Sequence, residues 1–147
     1  MLFSIEIAEI LDNASRLQII YWQETCNSIV VGGDFMPCIH IQTGKVEHQV
    51  NLKNFSYQLS KIMGIPIERI NVIVDYHEDT DVFIGRNTDI MIITLWVSEA
   101  NKKEFIHTLA KTTAALAEKH FLKKEKSAAV ICNLIREGYL LVNDQFI

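Results

Sequence analysis

A pattern of strand, helix and strand occurs twice in this 147-residue chain, and it constrains the fold more than any other feature. The first copy predicts a short apolar strand at residues 38–42, an amphipathic helix at about 46–63 and a strand at 70–76. Gly64 suits a left-handed helix cap, and Pro66 prevents the helix from resuming. The first copy therefore forms one β-α-β unit.

The second copy follows the same order. It predicts a strand at residues 89–97, a helix at 102–121 and a strand at 128–134. Residues 136–138 have the composition of a turn, and a short terminal strand at 139–142 is predicted to return against the preceding strand.

Two β-α-β units imply a definite architecture. The two strands of each unit run parallel through a right-handed crossover. The sequence thus predicts an α/β fold of the α+β two-layer sandwich type. Its four-stranded mixed sheet carries short additional terminal strands, and both helices lie on one face.

The predicted strands are apolar on both sides. Val72 and Val74 point one way while Ile73 points the other, and Ile93 alternates in the same manner with Ile92. Strands of this kind need both faces covered, but two helices cover only one. Further copies of the chain are the simplest cover for the second face, and residues 1–35 are the competing explanation.

Residues 1–35 do not obviously belong to the repeat. Apolar residues between positions 5 and 20 have helical spacing and predict a docking helix. The stretch Val31 to Met36 can also be encoded by codons containing GGA GGT GAT TTT ATG, which resembles a bacterial ribosome-binding site followed by a start codon. The chain therefore divides at 1–35 and 36–147, and translation begins at either Met1 or Met36.

Composition excludes several classes of function. The net charge is −4 and basic residues are not massed in one segment, so nucleic acid and anionic membranes are poor partners. Three widely spaced cysteines without a C-x-x-C pair indicate reduced thiols. No apolar run approaches the roughly 20 residues of a spanning helix, and no signal peptide is recognisable. These features predict a cytoplasmic protein.

Several short motifs together resemble the tautomerase superfamily. They are Met36-Pro37 before a strand, the Ile-His-Ile-x-x-Gly-Lys continuation to Lys45, and Gly-Ile-Pro-Ile-Glu-Arg-Ile-Asn-Val-Ile-Val from Gly64. The doubled β-α-β layout from Met36 to Ile147 is similar to macrophage migration inhibitory factor. The terminal Tyr-Leu-Leu-Val-Asn-Asp-Gln-Phe resembles a small bacterial branch without an assigned reaction.

The resemblance implies a homotrimer whose pockets lie at subunit boundaries, with an amino-terminal proline as catalytic acid and base. Pro37 would take this role if it became the first residue. A free α-amino group has a pKa of roughly 8, and burial or nearby cations lower it towards the range useful for proton transfer. The implied substrate is a small keto or enol acid, with no metal ion and no organic cofactor. An internal Pro37 is instead an inert residue that opens a strand.

Residues that bind the substrate carboxylate are predicted less directly. The candidates are Lys45, Arg86, Arg136 and Tyr139. Lys45 occupies a place similar to an arginine of the short bacterial tautomerases, and Arg86 precedes the second leading strand. Arg136 and Tyr139 lie in the terminal hairpin, where they could reach a neighbouring subunit's pocket. Asn71 and Ile65 stand where members of the superfamily carry basic residues.

Other polar residues favour structural roles. The acidic run at 77–81 is a solvated loop rather than a metal site, because loop residues in sequence rarely converge on one ion. His40 alternates with apolar strand residues and is a core or interface histidine, while Cys38 is a packing residue. Two alternatives to an enzyme remain: a non-catalytic binding or regulatory protein on the same fold, and a dimeric ferredoxin-like sensor with antiparallel central strands.

Overall fold

The computed structural model describes residues 37–85 and 89–146. The elements are, in chain order, β1 (Cys38–Gly44), α1 (Leu52–Met63), β2 (Asn71–His77), β3 (Met91–Ser98), α2 (Lys103–His120), β4 (Ala128–Ile135), β5 (Leu141–Val142) and β6 (Gln145–Phe146). The predicted helix between residues 5 and 20 and the candidate Arg86 lie outside the described residues. None of the described helices is long and apolar enough to cross a membrane.

The main sheet has the strand order β2-β1-β3-β4. Strand β1 runs parallel to β2, and β3 runs parallel to β4, so each β-α-β unit keeps its two strands adjacent. The units meet through the antiparallel pair β1–β3, in which Ile41 lies opposite Ile93. This confirms the predicted four-stranded mixed sheet. An antiparallel central pair also satisfies one condition set for the ferredoxin-like alternative.

One face of the sheet carries the core. The side chains of Ile39, Ile41, Ile93 and Leu95 are fully buried beneath the helices. Both helices contribute to the same cluster, α1 through residues such as Phe55 and α2 through residues such as Leu109. Both helices therefore cover one face of the sheet, as the repeat predicted.

Within residues 37–85 and 89–146 no helix packs on the other face, and we call it the open face. It consists of the strand residues that alternate with the core residues. Large apolar side chains lie on it, with 54 % of Ile73, 42 % of Trp96 and 53 % of Ile131 exposed. The prediction of strands apolar on both faces is thus confirmed.

The first helix begins later than predicted. It starts at Leu52 rather than about residue 46, because the Asn51 side chain accepts a hydrogen bond of 2.9 Å from the Asn54 backbone amide. Val46 and Val50 also pack partly buried against the core, but from non-helical backbone. Gly64 ends the helix with a φ of 67°, as predicted.

The prediction of the carboxyl terminus was wrong in its pairing. Strand β5 does not return against β4 but pairs with β6 in a separate two-stranded sheet. Asn143 and Asp144 form the connecting turn with φ values of 50° and 62°, which suits a two-residue hairpin loop. The turn after β4 was predicted correctly, since the Tyr139 amide donates to the Arg136 carbonyl at 3.2 Å.

Candidate functional site

Pro37 lies buried immediately before β1. Its carbonyl oxygen accepts a hydrogen bond of 3.1 Å from the Asn71 amide, which joins it to the first residue of β2. The register that pairs Cys38 with Trp96 brings Pro37 alongside the carboxyl-terminal end of β3. We call this end of the sheet the proline edge. Within the present chain the Pro37 nitrogen is a tertiary amide, which is neither a donor nor a useful base.

Arg136 lies at the proline edge. It follows the last residue of β4, Ile135, which pairs with Ser98 at the end of β3. Two strand spacings separate β4 from β1, or about 10 Å across the sheet. The Arg136 Nε lies 3.6 Å from Glu99 Oε2, and both side chains are exposed. Such a pair contributes at most about 1 kcal/mol to stability, so the guanidinium can leave Glu99 at little cost.

Tyr139 lies close to Arg136 along the chain, and its side chain points largely into solvent, with 77 % of the residue exposed. The turn that joins Arg136 to Tyr139 includes Gly138, whose φ of 81° is readily adopted only by glycine. The structure therefore places both hairpin candidates near the end of β4. It does not bring the Tyr139 ring onto the core.

A second arginine at this edge was missed by the sequence analysis. Arg69 is half-buried and lies in the short 3-10 turn Ile67–Arg69, two residues before Asn71. The Asn71 amide is the group that binds the Pro37 carbonyl, so Arg69 approaches the proline edge from the β2 side. The signal was available in the sequence, because Pro66 ends the helical region and a strand must follow. The arginine between them necessarily lies at the start of that strand.

Lys45 lies at the opposite end of the sheet. It follows Gly44, and a strand rise of about 3.3 Å per residue separates it from Pro37 by about 26 Å. Its ammonium group forms an exposed ion pair with Glu78. The hydrogen bond and the charge of Glu78 raise the pKa of Lys45. One subunit therefore does not bring Lys45 and Pro37 together.

Arg86 lies in the gap between the described residues 85 and 89. Asp89, three residues later, binds the Lys123 ammonium at 2.5 Å and thereby joins the start of β3 to the segment after α2. Lys123 is largely shielded from solvent, with 13 % of its side chain exposed. Asp89 is thus attached to the sheet at the end opposite the proline edge.

Cys38 is adjacent to Pro37 but is not an activated thiol. Burial raises the pKa of Cys38, and the same cause raises the pKa of Cys132. A raised pKa keeps the thiol protonated at neutral pH. Within residues 37–85 and 89–146, no three histidine, cysteine, aspartate or glutamate side chains are grouped closely enough to hold a metal ion.

Solved structures resemble this subunit closely in backbone geometry. A wild-type fused 4-OT that forms a symmetric trimer superposes with a TM-score of 0.60 and 15% identity, over 74% of this chain and 92% of that one. The macrophage migration inhibitory factor of Toxoplasma gondii gives 0.59 and 13% identity, over 75% and 99%. The chain has the fold of the tautomerase superfamily. The ferredoxin-like alternative is therefore not needed to explain the antiparallel central pair.

The likeness to tautomerases is one of fold and not of sequence. No protein-family profile matches the chain, and no curated protein sequence matches it. A third structure of the tautomerase fold, Pt0534 inactivated by 2-oxo-3-pentynoate, gives a TM-score of 0.63 at 12% identity, over 72% of this chain and 92% of that one.

Proposed function

We propose that this protein is a cofactor-independent tautomerase that moves a proton between carbon and oxygen of a small keto or enol acid. Pro37 is the acid and base, once the preceding residues are absent. The observation that carries the proposal is the burial of Pro37 at the head of β1 in a tautomerase fold, with Arg69 and Arg136 approaching the same edge. Residues 1–35 are an extension, and residues 36–147 are the functional domain.

The proposed chemistry needs only the amine and one cation. As the first residue, Pro37 carries a secondary amine, whose pKa falls from roughly 8 when it is buried near positive charge. The neutral amine removes a proton from the carbon beside the carbonyl, and the electron pair moves onto the oxygen. The resulting ammonium group then gives its proton to that oxygen, which leaves the enol and restores the amine. The reverse sequence converts enol to keto acid.

The cation that holds the substrate carboxylate comes from this chain or from its neighbour. Arg69 and Arg136 belong to the same subunit as Pro37, and an arginine binds a carboxylate through two parallel hydrogen bonds. Lys45 lies about 26 Å away, so only a Lys45 from another subunit reaches the pocket. Arg86 and Tyr139 complete the set of proposed substrate-binding residues.

A homotrimer is part of the proposal. The symmetric trimer of the fused 4-OT has the same subunit fold, and the open face of this chain exposes apolar side chains that need cover. A trimer would also bring the far edge of one subunit, with Lys45, towards the proline edge of another. The free cysteines Cys38 and Cys132 agree with a cytoplasmic location.

A non-catalytic binding protein is the second candidate function. It is favoured by one observation: in the chain as written, the Pro37 nitrogen is bonded to Met36 and has no basic electron pair. In that case the proline edge still offers arginines to a small carboxylate. The fold then binds a keto acid without turning it over.

Intact mass and amino-terminal sequencing of the protein, made from its own upstream DNA, test the proposal first. We expect a chain that begins at Pro37, and we expect it to tautomerise phenylpyruvate-type or 2-hydroxydienoate-type acids. A Pro37→Ala variant should lose this activity while keeping the fold. A chain that begins at Met1 and is never shortened would favour the binding protein instead.

Chemical labelling separates the two candidates further. An electrophilic acetylenic keto acid such as 2-oxo-3-pentynoate should attach to Pro37 in the chain that begins there, and peptide mass spectrometry would locate the adduct. The matched control is the chain that begins at Met1, whose Pro37 nitrogen is an amide and should remain unlabelled. Equal labelling of both chains at another residue would contradict the proposed role of Pro37.

A further inference from the structure

The open face carries very few groups that can hold charge. Strands β1 and β2 place Cys38, His40, Asp75 and His77 on it, while β3 and β4 place no titratable side chain there. The Cys38 thiol is neutral because burial raises its pKa. The face is therefore mostly apolar or uncharged, with one carboxylate, Asp75, on the edge strand β2.

That carboxylate has a partner on the next strand. His40 Nε2 lies 2.6 Å from Asp75 Oδ2, and the imidazole donates a hydrogen bond to the carboxylate. The two residues are diagonal neighbours, because His40 pairs with Ile73 and Gln42 pairs with Asp75. Their side chains are 31 % and 62 % exposed, so water still reaches the carboxylate in the single subunit.

Copies of the same chain are the occupants that fit this face. A face that carries a net charge repels a second copy of itself. On the open face, His40 can neutralise the Asp75 carboxylate within the same chain. Exposed Ile73, Trp96 and Ile131 lie on the same face and supply apolar area for the contact. This step rests on the homotrimer in the proposed function.

Covering the face changes the energy of the His40–Asp75 pair. If the imidazole is neutral, each subunit buries one uncompensated negative charge, which is costly. If the imidazole is protonated, the pair is neutral overall and its hydrogen bond is retained. The assembled state therefore favours the protonated imidazole more strongly than the free subunit does.

We propose that the His40–Asp75 pair links self-association of this protein to proton uptake, with up to one proton bound by each subunit that joins. Association then strengthens as the pH falls. Linkage limits the effect to about tenfold in affinity per subunit for each pH unit.

Sedimentation velocity of the full chain between pH 5.5 and 8.5 tests the linkage. We expect the assembled fraction at fixed concentration to rise as the pH falls. Asp75→Asn removes the carboxylate, so association should be strong at high pH and should no longer strengthen as the pH falls. His40→Gln leaves the carboxylate without a cation, so association should stay at the weak high-pH level of the unsubstituted chain over the whole range.

His77→Gln is the matched control, because His77 shares the face but lies at the end of β2. It should keep the pH dependence of the unsubstituted chain. Assembly of the unsubstituted chain that does not change with pH would overturn the linkage and leave the trimer standing.

If the full chain and a chain shortened to begin at Pro37 both remained monomers at every pH, the proposed trimer and the linkage would both be overturned. If only the shortened chain assembled, residues 1–35 would prevent association in the longer protein and the trimer would stand. Assembly of that shortened chain that did not change with pH would overturn the linkage alone.

Discussion

The two faces of the sheet are built from the same alternating strands but have different partners. The helix-covered face buries Ile93 and Leu95 completely, whereas the open face leaves Ile73 and Ile131 more than half exposed. The first face is completed by the chain's own helices. The second face is also apolar, yet no described helix covers it. The described helices therefore explain why one side of each strand is apolar, but not why the other side is.

The largest expected effect comes from the covered face. Leu95→Ala removes a fully buried side chain beneath the helices and should lower the free energy of unfolding by about 3 to 4 kcal/mol. Ile131→Ala, on the open face, should lower it by about 1 kcal/mol or less in the dissociated subunit. Urea denaturation at low protein concentration measures both values. Equal losses in the free energy of unfolding for the two variants would contradict the proposed difference between the two faces.

A charge on the open face should act on assembly rather than on folding. Ile131→Lys places an ammonium group in the proposed subunit contact, away from Asp75, and should weaken association at least a hundredfold, since an unpaired charge at an interface costs about 3 kcal/mol. Tyr57→Lys is the control, because Tyr57 is similarly exposed on α1 and lies away from the open face. Light scattering against concentration measures the difference. A Tyr57→Lys variant that also dissociated would place the contact elsewhere.

Acid should affect the two faces in opposite directions. On the helix side, the His120 Nε2 donates to Gln58 Oε1 at 3.0 Å, and its backbone carbonyl accepts from His48 Nε2 at 2.9 Å. Burial and the nearby Lys119 charge lower the pKa of His120, so the folded subunit favours the neutral imidazole. Stability from this source is complete above pH 6.5 and is lost as the pH falls below it.

The expected change is small because His120 is partly exposed. The melting temperature of the dissociated subunit should fall by about 2 °C between pH 7 and 5.5 through this group. His120→Gln should reduce the loss, and His107→Gln, on the exposed side of α2, should not. Melting curves of the two variants at both pH values measure this. Identical pH dependence in both would exclude His120 as the cause.

The sequence predicted the fold more fully than the site. The β-α-β order depends on local periodicity, and Gly64 marked a helix end by its own conformational preference. The predicted start of α1 was wrong because Val46 and Val50 have helical spacing but pack against the core from non-helical backbone. Only the Asn51 cap marks where the helix begins. The β5–β6 pairing was missed because two-residue strands carry almost no periodic signal.

The site was only partly predictable for a different reason. Pro37 was recognisable from its place before a strand, and its burial follows from the register. Substrate-binding cations depend on tertiary and quaternary arrangement, which sequence spacing does not encode. Lys45 is eight residues from Pro37 in sequence but at the opposite end of the sheet, whereas Arg136 is distant in sequence and at the same end.

The proposed enzyme would be activated as a zymogen is, by removal of the residues before the catalytic group. The hydrogen bond between the Pro37 carbonyl and the Asn71 amide would be present before and after that step. That bond and the burial of the ring use the carbonyl and the carbon atoms of Pro37, and neither depends on what is attached to its nitrogen. Removing the residues before Pro37 would convert an amide into an amine while leaving this hydrogen bond in place. Activity of the proposed enzyme would then be controlled by a single peptide bond.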